Sequence, residues 1–341
     1  MAPYFMVLSV PSLLAISYRG RDRIRPYVFV LIVFVLFMGL RYQVGADWRG
    51  YEYLHWFLSA LPLQQIVTRT EPLSMLLFWS SQKSGSGMLL SNLMAAAILM
   101  VGVMAFARRT ANPWLAVVAA TPYLIIAFGM SGIRQAMGVG IFLLLLSRWE
   151  TWGLVKRSAG VLVAGLFHAS ALVTGLFVVA TLRASLATKV AIGVPVLGLA
   201  YFATQRAEVF ASAIESYQQN YLGDRIESGG SLFHIGLIML PVGLGFLFRR
   251  KITSRIHDIQ LLTYGSWGAL CVLALNFVST TAASRLTLYL YFLPMMVYPA
   301  LAFKNRSATF IFVVAHFAIL LMWFLFANNS FAHLPYRTVL F

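Results

Sequence analysis

Scarce acidic side chains are concentrated between Arg41 and Pro72, in the stretch RYQVGADWRGYEYLHWFLSALPLQQIVTRTEP. Three of the ten Asp and Glu residues of the chain lie there, and three arginines accompany them: Asp47, Glu52 and Glu71 with Arg41, Arg49 and Arg69. Carboxylates and guanidinium groups beside long apolar segments typically mark a polar functional site next to the bilayer. The stretch therefore predicts a site for proton transfer or anion binding at a membrane surface.

Asp47 and Glu71 are the candidates for a general base in that site. Each follows a turn of the chain back toward the membrane, where partial burial would raise the pKa of a carboxyl group toward a useful value. The alternative is a structural ion pair with Arg41, Arg49 or Arg69, because ion-pair networks also perturb carboxylates. The sequence leaves both interpretations open.

Two arginines begin apolar segments, Arg134 in SGIRQ and Arg285 in SRLTLYLYF. An unpaired guanidinium at membrane depth is costly, whereas its planar fork fits the oxygen pair of a diphosphate. Arg41, at the end of another apolar segment, is a third candidate. For Arg134 and Arg285 the alternative is an interfacial anchor whose charged head reaches the lipid headgroups. The pattern predicts a diphosphate site.

His168 lies alone in a long apolar segment. It is either a hydrogen-bonded core residue or a direct participant, as a base or as a diphosphate contact. No set of His, Cys and carboxylate residues has the spacing of metal ligands, and no Asp-x-Asp pair occurs. We therefore predict no metal site and no cofactor.

Aromatic residues accompany the carboxylates, notably Trp48 and Tyr51. Their rings could stack on the faces of sugars while their polar tips bond hydroxyl groups. They could equally belong to the belt of Trp and Tyr that lies at headgroup depth in membrane proteins. Glu52 and His55 lie one turn apart on an interfacial helix, and we expect both on its solvated surface.

The elements that must position these residues are membrane-spanning helices. Apolar residues make up 60% of the 341-residue chain, and the mean hydropathy is +0.80, far beyond what a soluble core needs. The sequence predicts a single all-α polytopic domain over residues 1–341, with about ten crossings. These lie near 2–18, 27–41, 88–107, 114–130, 132–147, 187–204, 232–248, 259–278, 286–303 and 307–327.

Two apolar segments do not fit as ordinary crossings. Residues 72–83 are too short for about 30 Å of hydrocarbon, and residues 158–182 carry basic clusters at both ends. In the second segment Gly165, His168, Ser170 and Gly175 interrupt the apolar run. Because non-helical backbone at membrane depth must face protein or water, we expect two re-entrant or broken elements around a buried polar cavity.

The distribution of charge predicts the orientation. With residues 19–26 in the cytoplasm, seventeen of the 26 Lys and Arg residues, and three of the ten acidic residues, fall on the cytoplasmic side. The net charge of +16 is therefore an orientation signal and a contact for anionic membrane lipids, and nucleic-acid binding is excluded. The outer segments are then 41–87, 131–135, 205–231, 279–285 and 328–341.

Five short motifs, taken in order, resemble the EpsG-like, Wzy-type polymerases of bacterial exopolysaccharide, capsule and O-antigen assembly. The resemblance covers roughly residues 25–305 and rests on Arg41 with Gly45, Asp47 and Tyr51; Glu71-Pro72; Gly132-Ile133-Arg134-Gln135; Phe167-His168-Ala169-Ser170-Ala171; and Arg285 before Tyr289-Leu290-Tyr291-Phe292. Each motif alone is weak, and their order and spacing carry the resemblance.

The resemblance implies a multi-span enzyme, similar to glycosyltransferases of the GT-C type, that joins polyprenyl-diphosphate-linked oligosaccharide repeats. The active site would face the outside of the bacterial inner membrane, and a flippase and a chain-length regulator of the same pathway would be partners. The implied roles are catalysis by Asp47, Glu71 or His168, diphosphate binding by Arg41, Arg134 and Arg285, and sugar binding by Trp48, Tyr51, Gln135 and Tyr289.

Two other classes of function remain open from the residues. A transporter or flippase for lipid-linked sugars would also need intramembrane arginines and broken helices, but it should show symmetric repeats, and the sequence has no convincing repeat. A membrane O-acyltransferase acting on surface glycans would use His168 as its base. That function predicts access for an acyl donor from the cytoplasm, where the short basic loops indicate no pocket.

Overall fold

The chain is an all-α polytopic membrane protein, as predicted. The computed structural model describes residues 1–18, 24–222, 230–256 and 258–340, with the side chains of 207–222 excepted. Its α-helices are α1 Ala2–Ser17, α2 Ile24–Gly39, α3 Trp48–Ser59, α4 Leu63–Val67, α5 Pro72–Lys83, α6 Met88–Ala107, α7 Pro113–Ala120, α8 Ile133–Ser147, α9 Leu154–Phe167, α10 Gly175–Ala180, α11 Leu186–Leu222, α12 Ser231–Leu247, α13 Arg249–Ile252, α14 Ile259–Leu275, α15 Thr280–Thr287, α16 Phe292–Leu301 and α17 Arg306–Phe326.

Each predicted crossing coincides with helical structure. Within the described ranges, three helices have both the length and the apolar composition of a full crossing: Met88–Ala107, Leu186–Arg206 and Arg306–Phe326. Shorter apolar helices occupy the other predicted crossings. A π-helical turn, Thr121–Phe128, extends α7, and a 3₁₀ turn, Leu288–Leu290, separates α15 from α16. The long helix α11 runs to Leu222, into the predicted outer segment 205–231.

The two irregular segments are also confirmed as short or broken. The first is α5, twelve residues long. In the second, α9 ends at Phe167, His168 is extended with φ −152° and ψ 122°, and a 3₁₀ turn, Ala169–Thr174, leads into α10. The break has a physical cause, because the Ala169 N–H donates to a glutamate side chain from another segment and not to a carbonyl of its own helix.

Close backbone contact fixes the centre of the bundle, where α6 packs along α8. A Cβ atom on Gly102 would lie 2.0 Å from the carbonyl oxygen of Gly140. Small residues at such crossings let membrane helices approach until their backbones touch. Gly140 lies seven residues after Ile133, where α8 begins, so the contact fixes the position of the start of α8 along α6.

The two ends of the bundle differ in their polar contacts. At one end Arg109 pairs with Glu150 at 2.9 Å, and Asn112 Nδ2 donates to the carbonyl of Ala15 at 3.0 Å. The opposite end gathers contacts between the segments that the sequence assigns to the outer face. The chain thus has one end with short basic connectors and another with the candidate site.

Cysteine labelling tests which end faces outward. Cys271 is exposed, so a Cys271→Ser background is needed. Single cysteines at Ser84 and Thr281, exposed at the site end, should react with a membrane-impermeant thiol reagent on intact cells. Cysteines at Thr151 and Ser254, exposed at the basic end, should react only after permeabilisation. The reverse pattern would place the candidate site in the cytoplasm.

Candidate active site

Glu71 is held in an unusual backbone conformation at the N-terminus of α5. Its φ of 61° and ψ of 50° lie in the left-handed region, which costs a non-glycine residue of order 1–3 kcal/mol. The following residue, Pro72, begins the helix with a fixed φ. The side chain is buried, and Glu71 is 2% exposed. Such a conformation persists only where surrounding contacts hold the residue in place.

Three groups hold the Glu71 carboxylate. Arg134 Nη1 donates to Oε2 at 2.6 Å, and the backbone N–H of Ala169 donates to Oε1 at 2.9 Å. Nδ1 of His168 lies 2.6 Å from Oε1. These partners come from the start of α8 and from the break after α9. One carboxylate therefore joins three separate segments of the chain.

The electrostatics of Glu71 differ from the prediction. Burial acts to raise the pKa of this carboxyl group, but the charges of His168 and Arg134 and the N–H of Ala169 outweigh it and lower the pKa to about 2. The expectation of a raised pKa was wrong, because it took account of burial without these partners. The alternative of a structural ion pair holds for Glu71, but its partner is Arg134 and not Arg41, Arg49 or Arg69. The carboxylate stays charged at neutral pH.

Asp47 occupies a different environment from the one predicted for it. It is exposed, not partly buried, at the N-terminal boundary of α3. Its backbone carbonyl accepts the N–H of Tyr51 at 3.0 Å, and its charge attracts Arg134. Asp47 therefore lies at the solvent side of the cluster, and its catalytic role stays a prediction.

Arg134 has hydrogen-bonding capacity that the protein leaves unused. Its Nε is buried and has no hydrogen-bond partner among the residues described, while the side chain as a whole is 17% exposed. Its Cζ lies 5.9 Å from the centre of the Tyr51 ring. The guanidinium therefore pairs with the Glu71 carboxylate while its Nε donor stays unsatisfied, and diphosphate binding by Arg134 stays a prediction.

Helix α15 and the turn after it complete the cluster. Gln135 Nε2 donates to the carbonyl of Arg285 at 2.8 Å, and the hydroxyl groups of Ser170 and Tyr289 lie 3.0 Å apart. The Arg285 side chain is half-buried, and its charge acts on the Tyr289 hydroxyl. Gln135 and Tyr289 are buried and bonded within the protein, and their sugar-binding roles stay predictions.

Arg41 lies outside this cluster. It is 2% exposed, its Nε donates to the carbonyl of Val44 at 3.1 Å, and its Nη1 donates to Met38. Diphosphate binding by Arg41 therefore stays a prediction, as does sugar binding by Trp48 and Tyr51, which are both buried.

The structure corrects the expected position of His55 on α3. We predicted a solvated side chain, but His55 is 2% exposed. Its Nε2 lies 2.8 Å from the Ser91 hydroxyl, and its Nδ1 lies 2.7 Å from the Tyr51 carbonyl. The imidazole therefore ties α3 to the start of α6, which the one-turn spacing from Glu52 does not indicate.

The fold and the site together define a multi-pass helical membrane protein with a buried cluster of opposite charges at one end. A match to the EpsG family model covers residues 24–338. The chain belongs to the EpsG family, whose members are Wzy-type polymerases, and the resemblance drawn from the motifs is confirmed. Family membership supports a role as a polysaccharide polymerase in exopolysaccharide biosynthesis. No curated protein and no solved structure matches the chain.

The pairing of Glu71 predicts the stability of a charge-removing variant. Removing one partner of a buried pair costs about 3–5 kcal/mol, so Glu71→Gln should melt several degrees below wild type in detergent. Glu52→Gln, at an exposed position on α3, is the matched control. Because folding lowers the pKa of Glu71, the pairing stabilises the protein fully at pH values above the usual pKa of a carboxyl group. This stabilisation is lost as the pH falls toward 2. The difference in melting temperature should therefore be constant from pH 5 to 8. Equal melting of the two variants would contradict the pairing.

Proposed function

We propose that this EpsG-family protein joins polyprenyl-diphosphate-linked oligosaccharide repeats on the outer face of the bacterial cytoplasmic membrane. One observation carries the proposal. A single buried carboxylate, Glu71, holds both a guanidinium and an imidazole at the end of the bundle where the charge distribution predicts the outside. Glycosyl transfer from a lipid diphosphate requires both an anion-binding cation and a proton acceptor.

The proton acceptor in this proposal is His168. Nδ1 of His168 lies 2.6 Å from Glu71 Oε1, which leaves Nε2 as the nitrogen that receives the proton of the acceptor hydroxyl. His168 is 14% exposed, and no hydrogen bond to Nε2 is present among the described residues. Glu71 then orients the base and does not act as one itself. Asp47 is the alternative base, because it is exposed and close to Arg134.

The leaving group in this proposal is the polyprenyl diphosphate of the growing chain. The acceptor hydroxyl of one lipid-linked repeat gives its proton to His168, and its oxygen forms a bond to the anomeric carbon of the other substrate. The bond between that carbon and the diphosphate oxygen breaks, and the electron pair leaves with the diphosphate. Arg134, whose side chain is 17% exposed and whose Nε donor is unsatisfied within the protein, and Arg285 stabilise the charge that develops there.

The remaining residues bind the rest of the substrate. Arg41 is a further cation for the diphosphate, and Trp48, Tyr51, Gln135 and Tyr289 contact the sugars. The substrates arrive from a flippase of the same pathway, and a chain-length regulator sets the length of the product. The basic opposite end contacts anionic lipid headgroups of the inner leaflet.

A reconstituted assay tests this function. The purified protein in proteoliposomes, given only the lipid-linked repeat unit, should form a ladder of products without nucleotide sugar or added metal. Each joined repeat should release one polyprenyl diphosphate, and Arg134→Ala is the negative control. Movement of the repeat between leaflets without a ladder would establish a flippase. Product formation only with an acyl donor would establish an acyltransferase, and either result would overturn the proposal.

A further inference from the structure

Residues 328–340 pack over the loop that leads into α3. Three backbone hydrogen bonds of 2.9 Å join the two segments: Tyr42 N to Arg337 O, Val339 N to Leu40 O, and Gly45 N to Ala332 O. The Tyr336 ring stacks on Phe37 with centroids 4.7 Å apart and an interplanar angle of 7°. We refer to residues 328–340 as the C-terminal strap.

His333 is the buried centre of the strap. It is fully buried, and the Tyr4 hydroxyl donates to its carbonyl oxygen at 2.5 Å. The Trp323 ring packs edge-on against the imidazole at 4.9 Å between centroids. Its Nε2 lies 3.4 Å from the Ser131 hydroxyl, which itself donates to the Ala127 carbonyl at 3.2 Å. The strap therefore reaches the residue that precedes the Gly132-Ile133-Arg134-Gln135 motif.

Ser131 connects the loop that carries Asp47 with the segment that carries Arg134. Its hydroxyl accepts the backbone N–H of Ala46 at 3.1 Å, next to Asp47 at the mouth of the cluster. In the sequence Ser131 lies three residues before Arg134, which is in the first turn of α8. A change in its position would move the Asp47 loop and the guanidinium together.

The loop beneath the strap leaves no space for adjustment. Gly45 has a φ of 116°, and a Cβ atom there would lie 2.1 Å from the carbonyl oxygen of Met130. The loop is therefore pressed against the backbone just before Ser131, with the strap on its other side. Contact on both sides fixes the distance between Asp47 and the start of α8.

We propose that His333 is a positioning residue of the polymerase site, acting through Ser131 on the Asp47 loop and on Arg134. The inference rests on the proposed function, since it assigns the strap to the same site. His333 touches none of Glu71, Arg134 and His168 directly in the contacts of the described residues, so its effect is on geometry. A displacement of about 1 Å at a reacting group can lower turnover by about 100-fold.

The character of the contact decides which variant rescues it. Burial, with a smaller contribution from the charge of Arg41, lowers the pKa of His333 to about 4. The imidazole is therefore neutral at physiological pH and acts through a hydrogen bond. Gln carries a neutral amide at the position of Nε2, whereas Ala carries no polar group. His316, buried in α17 with Nδ1 2.6 Å from the Phe312 carbonyl, is a matched histidine whose contacts with described residues do not include the strap or the loop.

Kinetics of His333→Ala, His333→Gln and His316→Ala test the proposal. His333→Ala should lower kcat by about 10-fold or more with KM little changed, His333→Gln should restore most of the loss, and His316→Ala should keep near-normal kcat. Equal losses of kcat in His333→Ala and His316→Ala would show that His333 contributes only as a buried core residue, and would overturn its positioning role. If His333→Ala does not fold, Ser131→Ala takes its place, with the same expected loss.

A second readout does not depend on polymerase activity. In the Cys271→Ser background, a cysteine at Ala46 reports on the loop, and a cysteine at exposed Ser84 is the control. His333→Ala should raise the thiol-labelling rate at position 46 several-fold and leave position 84 unchanged. An unchanged rate at position 46 would overturn the positioning role. If the wild-type protein makes no polymer and His333→Ala still labels faster at position 46, the positioning role stands and the proposed function is rejected.

Discussion

The buried carboxylate of Glu71 is the constraint on which the rest of the site depends. An ionised group removed from water is stable only when every lone pair finds a donor or a charge. Here Arg134, His168 and the Ala169 N–H meet that requirement at 2.6 to 2.9 Å. Because those partners belong to separate segments, the start of α5, the start of α8 and the break after α9 have to meet at one point.

That requirement accounts for three features of the structure: the backbone conformation of Glu71, the helix break at His168 and the close crossing of α6 and α8. The left-handed backbone at Glu71 directs the carboxylate toward the bundle. In an unbroken helix the N–H of Ala169 would donate to a carbonyl of the same helix. The break at His168 leaves this N–H available to the Glu71 side chain. The close crossing of α6 and α8 sets the level of Arg134. Strain and broken helices of this kind are tolerated in membrane proteins where the surrounding protein satisfies the backbone.

The same network separates the roles that a glycosyl transfer needs. A carboxylate shared by an arginine and a histidine is a poor base, because its negative charge is already stabilised by both. It is a good organiser, because it sets the orientation of the guanidinium and of the imidazole at once. In the proposed reaction, Arg134 then acts on the leaving anion and His168 acts on the attacking hydroxyl.

Much of the fold could be predicted from the sequence, because local pattern carries it. The apolar run 88–107 is observed as Met88–Ala107, and the polar interruption around His168 is observed as a helix break. Glu71, Arg134 and His168, which the structure brings into contact, each lie in a motif that the sequence alone indicates, and their catalytic roles stay predictions.

The connections within the site could not be predicted from the sequence. Glu71 and Arg134 are 63 positions apart, Glu71 and Ala169 are 98 apart, and no periodicity links them. The sign of the Glu71 pKa shift depends on those partners, so it was predicted incorrectly. The contact of His333 with Ser131 spans 202 positions, and it arises from tertiary packing that no local pattern encodes.

The central claim is that Glu71 holds His168 so that Nε2 is available to the acceptor hydroxyl. Single-turnover kinetics of His168→Asn measure this directly, because the Asn amide can still donate to Glu71 from the position of Nδ1 but has no counterpart of Nε2. The account predicts a melting temperature close to wild type and a rate of glycosyl transfer lower by about 100-fold or more. A near-normal rate in His168→Asn would contradict it and make Asp47 the base.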